Sequence, residues 1–152
     1  MPVDPRTPVI VGAAQVVQRR EDHPDPRQAR DPATLMTEAV VAAAHDAGAP
    51  RLLGAVELVG VVAGLWSWPD PGRLVAERIG ARHARTLLTT FGGQTPQALV
   101  AELARRIRHG ELEVAVVCGG EANATRDRLR RAGLDKDWPT QDPDARPDET
   151  FG

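Results

Sequence analysis

The 152-residue chain contains no tyrosine, two phenylalanines and a single cysteine, Cys118. One cysteine excludes an intrachain disulfide, and it fits a reducing, cytoplasmic setting. Aromatic residues make up only 3% of the chain, so apolar burial must come from aliphatic side chains. No excess of one charge is present either: the formal net charge is -2. That near-balance gives no electrostatic footprint for nucleic acid or an anionic membrane, and neither is expected as a partner. The start, MPVDPRTPVIVGAAQ, lacks a basic stretch followed by a long apolar core, and no run reaches transmembrane length. No Walker A motif occurs. The first apolar run leads into GAAQ rather than Gly-x-Gly-x-x-Gly, which argues against a dinucleotide site.

What is present is a regular alternation of aliphatic runs and amphipathic segments, with 41% hydrophobic residues overall. Pro8 to Val16, Ala55 to Gly64, Arg85 to Thr90 and Glu113 to Cys118 read as four buried strands. Between them lie three helical patterns. The first begins at Asp31-Pro32, a capping residue followed by proline at the first helical position. It carries Leu35, Met36, Ala39, Val40, Ala43 and Ala44 at helical spacing and stops at Gly48. The second contains Leu74, Val75 and Ile79 and stops at Gly80. The third is read with Thr95 as cap, Pro96 first, an apolar face of Leu99, Val100, Leu103 and Ile107, and Gly110 as the stop. Residues 121–132 suggest a short polar helix. The expected fold class is α/β, a layered β-α-β-α-β-α-β arrangement with a mostly parallel sheet. Residues 1–132 form the expected domain, and 133–152 an Asp- and Pro-rich loop or tail.

Candidate chemistry is sparse. Cys118 lies inside an apolar strand and reads as a structural thiol. His23, His45, His83 and His109 show no metal-ligand spacing and are expected at the surface. Arg105, Arg106 and Arg108 read as a solvated helix face. The turn Gly92-Gly93-Gln94-Thr95 between a strand and a helix places free N–H groups at a helix start, where an anion or a thiolate is favoured. An ordinary glycine-containing βα turn explains the same residues.

The segment FGGQTPQALVAELARRIRHGELEVAVVCGGEA, residues 91–122, resembles the thiolase superfamily. In that family a strand leads into a helix that starts with the nucleophilic cysteine, and a later strand ends in a Gly-Gly-Glu pattern. TPVIVGAAQV and LMTEAVVAAAHDAG are similar to the family's first strand and the helix after it, so the resemblance runs from residue 7 to about 132. It implies one half of a thiolase-type acetyl-CoA acetyltransferase, an acyltransferase of lipid metabolism acting on coenzyme A thioesters. No bound cofactor is expected, with the thioester itself as substrate. The resemblance places the nucleophile position at Gly92 or Gly93, so this chain has no catalytic residue there. It also implies that the family's histidine motif and second cysteine belong to a C-terminal half beyond residue 152. Gly92, Gly93, Gln94 and Thr95 then become candidate substrate-binding residues. The implied partners are acyl-CoA and a second thiolase-type subunit, in a homodimer or hetero-oligomer. An inactive piece of an acetyltransferase-like protein, a non-catalytic subunit that binds a partner or acyl-CoA, and an unrelated α/β binding domain all remain consistent with the residues.

Overall fold

The computed structural model describes residues 3–152. Among the described residues, four α-helices and four strands follow one another: α1 (Pro32–Asp46), β1 (Leu58–Val61), α2 (Pro71–Arg78), β2 (Arg85–Thr89), α3 (Thr95–Arg108), β3 (Ala115–Cys118), α4 (Asn123–Arg131) and β4 (Glu149–Phe151). The four strands make one all-parallel sheet in the order β3-β1-β2-β4. In register, Val59 stands between Thr86 and Val116.

Local signals explain the helix ends. Asp31 caps α1 by accepting the Thr34 N–H at 3.0 Å, with Pro32 at the first position. Asp70 does the same for α2 through the Arg73 N–H at 3.1 Å. Gly80 and Gly110 take positive φ values of 81° and 73° just past α2 and α3, where a side chain would be strained.

Strand alternation distributes the core. Val59 and Val61 point into a cluster with Met36 and Val40 of α1 and Val75 of α2. Leu58 points the other way, into a cluster with Leu87, Leu99, Leu103 and Leu112. The sheet is thus covered by α1 and α2 on one face and α3 on the other. Gly60 belongs to the α3 face, and a Cβ there would come within 3.0 Å of Leu99. Leu99 itself is fully buried, and its truncation to alanine is expected to cost about 2–5 kcal/mol.

Three expectations need correction. Pro8 to Val16 is not a strand: no residue from 8 to 16 joins the sheet, and Val9, Ile10 and Val11 are exposed. Strand propensity supplies a suitable segment, but pairing requires a neighbour, and none meets it. Thr95 is the first residue of α3 rather than its cap. Gln94 occupies the cap position without a side-chain bond to the helix, its amide lying against Gly92, and the Thr95 hydroxyl turns back to the Gly92 carbonyl. Val100 is exposed at the edge of the α3 stripe, while Leu99 and Leu103 are buried.

The stretch 133–152 is largely irregular but anchored. It ends in β4, which pairs with β2. Trp68 Nε1 donates to the Pro139 carbonyl at 2.6 Å. The Gln141 side chain bridges the main chain of Asp70, accepting from its N–H and donating to its C=O. Arg106 Nη1 reaches Glu149 at 2.7 Å.

Candidate functional site

The C-terminal ends of parallel strands are where α/β sheets usually bind ligands. Here three turns meet that description: Ala63-Gly64-Leu65-Trp66 after β1, Phe91-Gly92-Gly93-Gln94 after β2, and Gly119-Gly120-Glu121 after β3.

The turns after β1 and β3 are tied together. Glu121 Oε1 accepts the Leu65 N–H at 2.5 Å, Trp66 Nε1 donates to the Gly120 carbonyl at 3.1 Å, and Arg126 Nη1 donates to the Leu65 carbonyl at 2.5 Å. A side chain at Gly64 would collide with Trp66 and with Glu121 Oε1, so the close approach demands glycine there. Toward β2, the Ala63 N–H donates to Thr89 Oγ1 at 3.0 Å. Glu121 is therefore a positioning residue for two loops. The Gly-Gly-Glu pattern was visible in the sequence; that its carboxylate would hold the β1 loop was not, because Leu65 lies 56 residues away.

The β2–α3 turn holds the four candidate residues. Thr95 is buried, and its Oγ1 donates to the Gly92 carbonyl at 2.7 Å. The hydroxyl is thereby committed to closing the turn, as is its own N–H, which also reaches Gly92 O. A Cβ at Gly92 would meet the Gln94 side-chain oxygen at 2.8 Å, so that amide folds over Gly92. A Cβ at Gly93 would meet nothing within 4 Å. Phe91 and Leu65 stand exposed at this same end of the sheet. The turn therefore offers an open main chain at Gly93 beside exposed Phe91, with Leu65 of the neighbouring β1 turn near it, but no nucleophilic atom that is both free and activated.

Cys118 ends β3 and is buried against the α1–α2 side of the core. Burial pushes its thiol up to about 12, which suppresses the thiolate at neutral pH. His45, His83 and His109 are exposed and His23 half-buried. Among the described residues, no three His, Cys, Asp or Glu side chains converge as a metal site would require. The arginines of α3 divide. Arg105 is exposed and pairs with Glu102 and Glu111, whereas Arg106 is mostly buried between Glu102 and Glu149. Both arginines hold the Glu102 carboxyl down at about 2.

A second polar cluster lies away from these turns. Asp70, itself 5% exposed, receives the Thr86 hydroxyl at 3.1 Å. Asp148 Oδ2 accepts the Thr86 N–H at 2.8 Å and Arg73 Nη2 at 3.1 Å, and stands 3.3 Å from the same hydroxyl. Burial raises the Asp70 carboxyl above its usual range, partly opposed by the Arg73 N–H, Thr86 and the Arg73 charge. Asp148 thus pins the stretch leading into β4. No sequence signal marks the cluster, because its members come from three separate stretches.

A scan against protein-family models and a search of curated proteins find no match. Among solved structures, the chain matches a monomeric SCP2-thiolase-like protein type 1 from Mycobacterium smegmatis. The identity is 36%, the TM-score 0.69, and the match covers 88% of this chain and 27% of that protein. The chain thus spans about a quarter of that protein's length. No helix of the described residues is long and apolar enough to cross a membrane.

Proposed function

Starting from a chain with a thiolase-like fold, we propose that it is the acyl-CoA-binding part of an acetyl-CoA acetyltransferase-like protein and is no catalyst by itself. One observation carries this reading. The turn that the resemblance equates with the nucleophile site presents Gly92 and Gly93, and its single hydroxyl, Thr95, is bonded to Gly92 O. A thiolase-type transfer needs a thiolate to take the acyl group and a base to generate it. Cys118 does not supply the thiolate, being buried with its thiol shifted upward.

What the turn retains suits thioester binding. The open main chain at Gly93 allows close approach of a carbonyl, and exposed Phe91 and Leu65 offer apolar contact to an acyl chain. The acyl group would be held without a covalent step in this chain. The reading in which the chain is a non-catalytic subunit binding another polypeptide is favoured by a separate observation: among the described residues, β3 is an edge strand of the sheet.

Two measurements test the proposal. Thiolysis of acetoacetyl-CoA is expected to stay at the buffer rate with the purified chain and with its Cys118→Ala variant. Turnover that disappears in the variant overturns the non-catalytic reading. Acetyl-CoA titrated calorimetrically is expected to bind, and Gly93→Trp, which fills the open side of the turn, to weaken binding at least tenfold. Absence of binding in the parent chain removes the acyl-CoA reading.

A further inference from the structure

Residues 138–151 form a strap that ends in β4 and is tied down along its length. Trp68 holds the Pro139 carbonyl, and its ring centroid stands 6.2 Å from that of Trp138. Gln141 grips the main chain of Asp70 at 3.0 and 2.6 Å. Asp148 meets Thr86 and Arg73. Glu149 pairs with Arg85 at 2.9 Å and with Arg106 at 2.7 Å. The Thr90 N–H donates to Phe151 O at 2.8 Å. Two of these ties, through Gln141 and Asp148, converge on Asp70, a carboxyl group only 5% exposed that the acyl-CoA reading does not use.

One hydroxyl stands between two carboxyl groups at this point. Thr86 of β2 is fully buried. Its Oγ1 lies 3.1 Å from Asp70 Oδ2 and 3.3 Å from Asp148 Oδ2, and it accepts the Asp148 N–H at 3.1 Å. A hydroxyl has one hydrogen and two lone pairs. With both carboxylates ionised, that hydrogen serves one of them, and the other anionic oxygen faces a lone pair. With a proton on Asp70 Oδ2, every position is used. Asp70 then donates to Oγ1, Oγ1 donates to Asp148 Oδ2, and the Asp148 N–H fills the second lone pair. Asp70 Oδ1 accepts the Arg73 N–H in either state. The surrounding charges do not remove the conflict. From α2 comes Arg73, with Nε 4.0 Å from Asp70 Oδ2 and Nη2 3.1 Å from Asp148 Oδ2, while its Nη1 is spent on the carbonyls of Arg82 and Ala84. From β2 comes Arg85, which Glu149 of the strap takes. Among the described residues, one guanidinium thus serves two carboxylates. Burial raises the Asp70 carboxyl above its usual range, and the Asp148 charge adds to the rise.

We propose that Asp70, Thr86 and Asp148 form a proton-operated clasp, which holds the strap and β4 against the sheet while Asp70 is protonated and loosens as Asp70 ionises. The direction follows from linkage. Covered by Gln141 and Asp148, Asp70 holds its proton more tightly than it does with the strap lifted and water admitted, so the proton favours closure by the same amount. Closure is therefore strongest on the acid side, and the advantage is lost as pH rises through the carboxylate range. The effect reaches the β2–α3 turn, because Thr90, bonded to Phe151 O, stands immediately before Phe91-Gly92-Gly93. The clasp sets how firmly that turn is seated, whatever the turn binds.

Amide hydrogen exchange of the whole chain tests the clasp, read as protection factors so that the intrinsic pH dependence of exchange cancels. The Thr86 amide, bonded to Asp148 Oδ2, and the Thr90 amide, bonded to Phe151 O, report on the strap. The Val62 amide, bonded to Cys118 O on the β1–β3 side, is the reference. Between about pH 4 and about pH 7, protection at Thr86 and Thr90 is expected to fall about tenfold or more relative to Val62, the effect of roughly one unit of difference in Asp70 proton affinity between closed and open strap. Asp70→Asn keeps the α2 cap and offers an amide N–H to Thr86 Oγ1, imitating the protonated carboxyl. It is expected to keep protection at Thr86 and Thr90 high and flat across the same range. The proposal is overturned by protection that does not change with pH in the parent chain, by an equal fall at Val62, which would mark opening of the whole fold, or by a fall as steep in Asp70→Asn. The comparison of Thr86 with Val62 in the parent stands without the variant, and none of these readouts involves coenzyme A.

Discussion

Thr95 Oγ1 donates to the carbonyl oxygen of Gly92 at 2.7 Å, closing the turn at the start of α3 instead of facing out of it. The residue is 2% exposed, so the bond is made where water does not replace it. Thr95→Val keeps the shape and deletes the donor, leaving the Gly92 carbonyl with the Thr95 N–H alone. Urea unfolding is expected to show a loss of about 1–2 kcal/mol, and Thr95→Ser to recover most of it. A Thr95→Val variant as stable as the parent would show that the turn is held by its backbone alone.

Cys118 is expected to resist thiol reagents in the folded chain. A thiol moved from 9.0 to about 12 has roughly a thousandfold less thiolate at a given pH, and burial adds a steric barrier. Labelling by an aromatic disulfide at pH 8 should therefore proceed at the rate of unfolding and accelerate sharply in denaturant. Rapid native-state labelling, similar to the denatured chain, would contradict the buried geometry.

Asp70 should make the folded chain lose stability as pH rises through the carboxylate range. Its folded-state carboxyl is raised above the unfolded value, chiefly by burial. The folded chain therefore holds the proton more tightly, and the cost of the buried charge appears as pH climbs from the unfolded value past the folded one. Glu102 works in the opposite sense. Held at about 2, it contributes stability above the ordinary glutamate range that is lost as pH falls. Asp70→Asn isolates the first effect, because Glu102 is common to both proteins and asparagine still caps α2. The melting temperature of Asp70→Asn relative to the parent is expected to shift in favour of asparagine between pH 3 and pH 7. A difference independent of pH would show that Thr86 and Arg73 offset the burial completely.

The amino-acid order alone set the elements whose signals are local. Asp31-Pro32 starts α1, Gly80 and Gly110 stop their helices, and the spacing of Leu99 and Leu103 sets the buried stripe of α3. The aliphatic runs at 58–61, 85–89 and 115–118 became strands because each meets a parallel neighbour and is covered by helices. It also determined that the β2–α3 turn carries Gly92 and Gly93, which no folding could turn into a nucleophile. Long-range contacts set the rest. Residues 8–16 have the composition of a strand and are none, since hydrogen-bonded pairing needs a partner the segment does not meet. Glu149 to Phe151, in a polar stretch without strand composition, became β4 because Trp68, Arg106 and Thr86 hold its approach and its ends against β2. Periodicity reads what one segment can bury; sheet membership depends on which edges are brought within hydrogen-bonding distance, and contacts dozens of residues apart in sequence settle that.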